Sequence, residues 1–343
     1  MLRYLFVFLS VFTAVINRFV AQNETHGLIN WISIKEMQEK NKTAPKPILI
    51  DFYTDWCGWC KHMMKTTYSN PALASYINTN FYAVKFDAEG KDTIEYNGKI
   101  YKPLSKDSKT PHELTIKFLG NKLSYPSTAF VTNNFEYNLL TQGFLDEKKI
   151  EPILVFMVEN AWRTSTFDEF NIHFGHTFND TVFKKKRVKL YTYAELEKQM
   201  LKKPKKILVN FDASFCNTCK VMGKTTFADT LIADYINKNF YVLNFDVEQD
   251  DTIKFKGEKY FKMPINNYPM HNLAIKFCAN RFSMAALVIL DEQFAPLEVL
   301  NFYQSPHQIQ PILKFFGDNI YKKKNWADFI KEYSAGLKGK PKK

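Results

Sequence analysis

Two cysteine pairs with identical spacing are the residues of this sequence best suited to chemistry. Cys57 and Cys60 form one Cys-x-x-Cys pair, and Cys216 and Cys219 form the other. The chain has only five cysteines in 343 residues, whereas a scaffold held together by disulfides would need many more. Two close pairs instead indicate thiol–disulfide exchange, in which one thiolate attacks a disulfide and a second thiol resolves the mixed disulfide.

A zinc site is the main alternative for such a pair, because two cysteines can supply half of a tetrahedral set of ligands. The region around Cys57 and Cys60 contains no other cysteine, and the next pair lies far along the chain. We therefore expect no metal at the first pair. No glycine-rich dinucleotide fingerprint follows a predicted strand, so we expect no nicotinamide or flavin cofactor either.

An internal repeat with a constant offset of 159 positions (207 − 48 = 159) relates the segments around the two pairs. The offset also matches Ile48 with Ile207, Phe81 with Phe240, Phe118 with Phe277, and Pro152 with Pro311. A register held this long without a gap indicates a duplication. The sequence therefore predicts a first domain at 28–170, a linker at 171–186, a second domain at 187–335 and a basic tail at 336–343.

Each repeat predicts the same α/β order of elements. In the first repeat, an amphipathic helix at 34–42 precedes an apolar, β-branched strand at 48–53. The cysteine pair then opens a helix, and a second strand at 81–86 runs parallel to the first, as in a βαβ unit. Two antiparallel strands and a closing helix complete the predicted set, at 129–135, 137–143 and 147–162.

Two local signals lie between these strands. Asn97-Gly98 favours a tight hairpin turn, and Lys256-Gly257 occupies the matching place in the second repeat. Thr110 and Glu113 predict a capping box, with Pro111 at the first position of the helix that follows.

The segment that carries the first pair reads Asp51-Phe52-Tyr53-Thr54-Asp55-Trp56-Cys57-Gly58-Trp59-Cys60-Lys61. It closely resembles the active-site segment of thioredoxins, because the order of a strand, Trp-Cys-Gly-x-Cys-Lys and a helix is specific to that superfamily. The resemblance covers each repeat apart from the hairpin region at Asn97-Gly98. It implies an exported member of the superfamily with two tandem thioredoxin-like domains, each a central mixed sheet flanked by helices.

The resemblance also implies roles around the first pair. A helix N-terminus lowers the pKa of a cysteine, so Cys57 is expected to be the exposed attacking thiol and Cys60 the resolving thiol. Asp51 matches a buried aspartate that handles the proton of the resolving cysteine, and burial would raise its pKa. Lys85 matches the lysine near that aspartate, and Pro126 matches the cis-proline that faces the pair. Three aromatic residues are expected to contact substrate: Trp56, Trp59 and Tyr125.

The second repeat keeps its cysteines but loses the groups around them. Asp51 becomes Asn210, Lys85 becomes Asn244, and Pro126 becomes Ala285. Asparagine does not titrate, and a cis bond before alanine costs about 2.5–4 kcal/mol, so we expect a trans, reshaped loop. The second pair is predicted to be a weak or specialised redox site or part of a substrate-holding module, with metal or iron–sulfur capture as the alternative. Cys278 is expected to be a buried thiol.

The first residues have the layout of a secretory signal, in which a basic n-region precedes an apolar h-region. We expect cleavage after Ala21, which removes a signal peptide at 1–21, and a periplasmic or otherwise exported protein. An uncleaved anchor is the alternative. The formal charge of +12 is concentrated at 184–189 and after Lys338. Export and interspersed acidic residues argue against nucleic acid as a partner.

These features predict an exported thiol–disulfide oxidoreductase that reduces or isomerises disulfides of exported proteins through Cys57 and Cys60. Gly58-Trp59 lacks the histidine of strongly oxidising relatives, which favours a reductant. Reduction outside the cytosol requires an electron donor, and we expect a thiol donor in the membrane. The alternative is a chaperone that binds unfolded clients on an aromatic surface and uses its cysteines secondarily.

Overall fold

The computed structural model describes residues 27–107, 109–179, 188–265, 268–279 and 282–338. The chain divides into two compact units, Met1–Val158 and Glu159–Lys343, each considered by itself. The predicted signal peptide, most of the basic cluster at 184–189 and the end of the tail lie outside the described residues. Among the described residues, no helix combines the length and apolar character needed to cross a bilayer.

Unit one is built on seven strands, numbered in chain order. They are β1 (Trp31–Ile32), β2 (Ile48–Tyr53), β3 (Tyr82–Asp87), β4 (Ile94–Tyr96), β5 (Lys99–Tyr101), β6 (Ser127–Val131) and β7 (Asn138–Gln142). Five of them form a sheet in the order β1-β3-β2-β6-β7. The β1/β3 and β2/β3 pairs are parallel, whereas β2/β6 and β6/β7 are antiparallel, so the predicted mixed sheet is confirmed.

Five helices accompany this sheet. They are α1 (Ile34–Thr43), α2 (Gly58–Lys65), α3 (Pro71–Asn80), α4 (Glu113–Leu119) and α5 (Glu147–Val158). The predicted crossover between β2 and β3 contains two helices, α2 and α3, because Asn70 caps a new helix with Pro71 at its first position. The predicted capping box at Thr110 is wrong: His112 is the N-cap of α4, and its Nδ1 accepts the N–H of Leu114.

The core of unit one lies around β2. Ile48, Leu49 and Ile50 are wholly buried, because a central strand is covered on both faces. Phe52 and Val84 join the same apolar cluster from β2 and β3. This strand therefore fixes the position of the cysteine pair that follows it. The predicted hairpin is also confirmed, with Asn97 and Gly98 both at positive φ between β4 and β5.

Unit two repeats this architecture. Its strands are β8 (Leu190–Tyr191), β9 (Lys206–Asp212), β10 (Phe240–Asp246), β11 (Ile253–Phe255), β12 (Glu258–Tyr260), β13 (Lys262–Ile265), β14 (Tyr268–His271), β15 (Leu287–Leu290) and β16 (Pro296–Leu300). The five-stranded sheet has the order β16-β15-β9-β10-β8, with the same parallel and antiparallel pairs as in unit one. A second hairpin, β13–β14, corresponds in unit one to a single antiparallel bridge between Pro103 and His112.

The helices of unit two are α6 (Phe167–Phe178), α7 (Tyr193–Lys202), α8 (Asn217–Lys224), α9 (Thr230–Asn239), α10 (Leu273–Phe277), α11 (Pro306–Gly317) and α12 (Trp326–Lys338). Helix α6 crosses the predicted boundary at residue 170 and packs against α8. Thr166 caps α6, with Asp168 and Glu169 in its first turn, so the helix has its own start signal. The limits drawn from the repeat stay a prediction.

Candidate active site

The first cysteine pair lies at the N-terminus of α2, after the short loop that follows β2. Cys57 is the N-cap of α2, and it forms a disulfide with Cys60 across a Cα–Cα distance of 5.3 Å. The Cys57 Sγ accepts the N–H of Cys60 at 3.0 Å, so the sulfur faces the positive end of the helix dipole. The expectation of an exposed Cys57 is wrong for this disulfide form, in which the residue is only 4% exposed.

Asp51 carries the carboxyl group of the strand that leads to the pair. It is wholly buried, and its Oδ1 accepts the hydroxyl of Tyr68 at 3.4 Å. Burial is the largest influence and raises the pKa of Asp51 to about 7, against the opposing effect of Lys85. A carboxyl group with such a pKa can both accept and release a proton near neutral pH.

Lys85 is the neighbour of Asp51 across the β2/β3 register. Its Nζ lies 4.4 Å from the centre of the Tyr53 ring, a cation–π contact at the end of the same strand. The structure thus brings together the lysine and the aspartate that the sequence pattern paired.

An aromatic rim borders the first pair, formed by Trp56, Trp59, Tyr125 and Phe144. Trp56 and Trp59 are each 61% exposed. Trp56 meets Tyr125 edge to face at 5.9 Å, and Trp59 packs on Phe144 at 5.6 Å between ring centres. Phe144 and Glu89 were not predicted as site residues. The Glu89 carboxylate accepts the indole N–H of Trp56 at 3.0 Å. Neither residue belongs to the motif that carries the resemblance.

The Tyr125–Pro126 peptide bond is cis, and β6 begins directly after it. The Pro126 carbonyl accepts the N–H of Gly143 at 2.8 Å, which ties this loop to the end of β7.

The second pair has the same local geometry but different surroundings. Cys216 is the N-cap of α8 and forms a disulfide with Cys219. Asn210 lies where Asp51 lies in unit one, and it donates to Asn244 at 2.8 Å, so two neutral amides replace the aspartate and the lysine. Ala285 has a φ of 59° and no cis bond precedes it, which agrees with the expected trans, reshaped loop.

The remaining cysteine belongs to neither pair, and the described residues include no cluster of metal ligands. Cys278 is fully buried and lies outside both disulfides, as predicted. Within the described parts of the chain, no group of three or more His, Cys, Asp or Glu side chains is arranged to hold a metal ion.

Two family models match the sequence. Residues 17–137 match Thioredox_DsbH, described as a protein of unknown function, DUF255, and residues 176–272 match Thioredoxin_7, described as thioredoxin-like. Together they cover both cysteine pairs.

Curated relatives include the thiol:disulfide interchange protein DsbD of Vibrio vulnificus (strain YJ016), 37% identical over 60 residues, which are 17% of this chain and 10% of the relative. DsbD of Escherichia coli (strain K12) is 40% identical over 57 residues, or 16% of this chain and 10% of the relative. The chain spans about a tenth of the length of these relatives.

Similar solved structures include a thioredoxin-fold protein from Helicobacter pylori, with 19% identity and a TM-score of 0.31, covering 48% of this chain and 92% of that chain. The oxidised C-terminal domain of DsbD from Neisseria meningitidis has 21% identity and a TM-score of 0.24, covering 34% of this chain and 84% of that chain.

Proposed function

Because the chain belongs to the thioredoxin superfamily, we propose that it is an exported enzyme that reduces or isomerises disulfides of exported proteins through Cys57 and Cys60. The observation that carries the proposal is the Cys57–Cys60 disulfide at the N-terminus of α2, preceded in the chain by a buried carboxyl group whose pKa is raised to about 7.

The first step is attack on a client disulfide by the Cys57 thiolate. The helix N-terminus stabilises this thiolate, since its unpaired N–H groups and dipole favour a negative charge. A mixed disulfide forms between Cys57 and one client sulfur. The other client sulfur leaves as a thiolate and takes up a proton.

The second step resolves the mixed disulfide. Asp51, in its carboxylate form, accepts the proton of Cys60, and the Cys60 thiolate then attacks the Sγ of Cys57. The Cys57–Cys60 disulfide forms, and the second client sulfur leaves as a thiolate and takes up a proton. The client is released as a dithiol with two electrons gained. In isomerisation, a second client thiol attacks the mixed disulfide instead, and no net electrons are transferred.

The aromatic rim supports a protein client. Trp56 and Trp59 expose large ring surfaces beside the pair, and aromatic side chains of this kind dominate the energetics of protein recognition. Export rests on the basic and apolar pattern of residues 1–21. The reduced state must be regenerated by a thiol donor, and we propose a membrane-embedded one.

A redox titration of the full chain tests this proposal. The protein is equilibrated in glutathione or dithiothreitol buffers, and each cysteine peptide is quantified after differential alkylation. We expect Cys57 and Cys60 to titrate reversibly as a two-electron couple at a low, thioredoxin-like potential, and the reduced protein to reduce insulin. A first pair that stays oxidised, or a reduced protein inert towards insulin, contradicts the proposal.

The exposed rim also favours a second candidate function, the binding of unfolded clients without chemistry. A Cys57→Ser/Cys60→Ser variant separates the two functions. If it protects unfolded clients from aggregation as well as the wild type, while wild-type insulin reduction is slow, the protein is a client-binding module first.

A further inference from the structure

A carboxylate occupies the N-terminus of α8, the helix that carries the second cysteine pair. The Oε1 of Glu159 accepts the backbone N–H of Asn217 at 3.1 Å. Its Oε2 accepts the N–H of Thr218 at 2.8 Å and the Thr218 hydroxyl at 2.7 Å. Glu159 belongs to the same compact unit as α8, and the three contacts hold its carboxylate in one position.

The same oxygen lies beside the sulfur of the second pair. Glu159 Oε2 is 4.0 Å from the Sγ of Cys216, and the Thr218 Oγ1 is 3.6 Å from that sulfur. Cys216 is 1% exposed and Thr218 is fully buried. Burial raises the pKa of Glu159, against the opposing effect of the bonds from Thr218 and Asn217. These bonds are the ones that favour a carboxylate at this place.

Other charged groups on the neighbouring elements have other partners. On α8, Lys220 donates to the Ser214 carbonyl at 2.7 Å and Lys224 to the Thr177 carbonyl at 2.6 Å. On α6, which packs against α8, Glu169 pairs with His307 at 2.8 Å. The remaining titratable groups of α6 are Asp168, His173 and His176. None of these contacts supplies a cation to Cys216, whereas Glu159 supplies an anion.

We infer that Glu159 holds Cys216 in its thiol form and thereby keeps the second pair slow to attack disulfides. A thiolate at a helix N-terminus is stabilised by free N–H donors and by the helix dipole. Here two of those N–H donors already bind the Glu159 carboxylate. The negative charge of that carboxylate lies 4.0 Å from the Cys216 sulfur and would repel a thiolate there. The N–H of Cys219 still reaches the Cys216 sulfur, at 3.1 Å. The reduced pair therefore receives less of the stabilisation that an N-terminal thiolate normally has, and the disulfide form is favoured.

The chain contains a natural comparison for this arrangement. At the first pair, the position of Thr218 is held by Trp59, which is 61% exposed, and Cys57 is not contacted by a carboxylate among the described hydrogen bonds and ion pairs. The repeat register places Asp318 opposite Glu159, and the Asp318 carboxylate accepts the hydroxyl of Tyr235. Asp318→Asn is therefore a matched control for the loss of one acidic charge.

The test is the pH profile of Cys216 alkylation in the full chain. Cys219→Ser leaves Cys216 unable to reform its disulfide, and the reduced protein is treated with iodoacetamide at a series of pH values. The modified peptide is then quantified. Glu159→Gln is added to this background. Glutamine has nearly the size of glutamate, so the substitution removes the charge and keeps the steric cover.

We expect Glu159→Gln to lower the midpoint of the Cys216 profile by about one pH unit or more, and to speed alkylation at pH 7 by about tenfold. Asp318→Asn should leave the midpoint unchanged, as should the Cys57 peptide in the same samples. An unchanged or higher midpoint overturns the inference. Faster alkylation with an unchanged midpoint overturns it too, since that result indicates steric cover alone.

A second variant keeps the inference testable if Glu159→Gln disturbs the fold. Glu159→Asp retains the negative charge and moves it away from Cys216 by about one methylene group. The midpoint of the Cys216 alkylation profile should therefore lie below that of the parent and above that expected when the charge is removed. A midpoint equal to or above that of the parent overturns the inference. The measurement concerns Cys216 alone, so its outcome is independent of whether the first pair is a reductase.

Discussion

The two cysteine pairs share one backbone framework and differ in where an acidic group lies. At the first pair, the acidic residue is Asp51, buried in the strand that leads to Cys57. At the second pair, that strand position is the neutral Asn210, and the acidic residue is Glu159, bonded to the N–H groups that open the helix. The second pair thus lacks the buried carboxyl group of the first and has a carboxyl group beside the sulfur of its N-cap cysteine instead.

The two Cys-x-x-Cys motifs are alike in backbone geometry and differ in the groups that surround their sulfur atoms. Both pairs are disulfides with the same Cα–Cα distance of 5.3 Å, and the first cysteine of each pair is the N-cap of its helix. The thiolate that does the chemistry depends on nearby charge and exposure. The first pair has an exposed aromatic rim beside it, whereas the second has a buried threonine and a carboxylate.

The largest expected effect comes from replacing the first cysteine of each pair and comparing the two variants. Cys57→Ser should lower the rate of insulin reduction to the uncatalysed rate, because it removes the sulfur that we propose attacks the client disulfide. Cys216→Ser should retain most of the wild-type rate, measured as thiol-dependent insulin precipitation. Equal losses in the two variants would show that the pairs work as a relay and that the proposed division between them is wrong.

The next effect concerns Asp51 and the pH dependence of folding. The pKa of Asp51 is raised from 3.8 to about 7 in the folded protein, so the protonated form is favoured there. The stability gained from that protonated carboxyl is complete below pH 4 and is lost as the pH rises through about 7. Asp51→Asn stays neutral at every pH, so it should be more stable than the wild type above pH 7, by up to ~4 kcal/mol.

Urea unfolding between pH 5 and pH 9 measures this difference. The reciprocal substitution Asn210→Asp is the matched comparison in unit two, and burial of the new carboxyl group should destabilise the protein increasingly as the pH rises from about 4 towards neutral. Asp51→Asn should also slow the resolving step, seen as a longer-lived mixed disulfide with a client. A stability difference that is independent of pH would show that the carboxyl group is charged throughout.

The smallest effect tests the aromatic rim. Trp59→Thr gives the first pair the residue found at the matching position of the second, where Thr218 is buried. We expect the KM for a protein client to rise about fivefold, because exposed tryptophans of this type contribute on the order of 1 kcal/mol or more to binding. Leu201→Thr, which alters a side chain that is 89% exposed on α7, is the control and should leave KM unchanged. Equal KM values for Trp59→Thr and wild type would show that Trp59 does not contribute to client binding.

Several elements could be predicted because their signals are local. Strand β2 has the predicted bounds, since a β-branched apolar run between Pro47 and the cysteine motif has one stable arrangement. The β13–β14 hairpin was missed because Pro264 and Pro269 lie opposite each other in it, and proline argues against a strand. Proline is tolerated there because the hairpin is a separate two-stranded sheet with free edges.

The sequence by itself determined the two cysteine pairs, their N-cap positions and the loss of Asp51, Lys85 and Pro126 from the second repeat. These are matters of residue type and short spacing, which act within one helical turn or one strand. Only the tertiary structure decided the pKa of Asp51, because desolvation depends on everything packed around the strand. It alone placed Glu159 on Cys216, 57 positions away along the chain, because such contacts arise only when distant segments fold together.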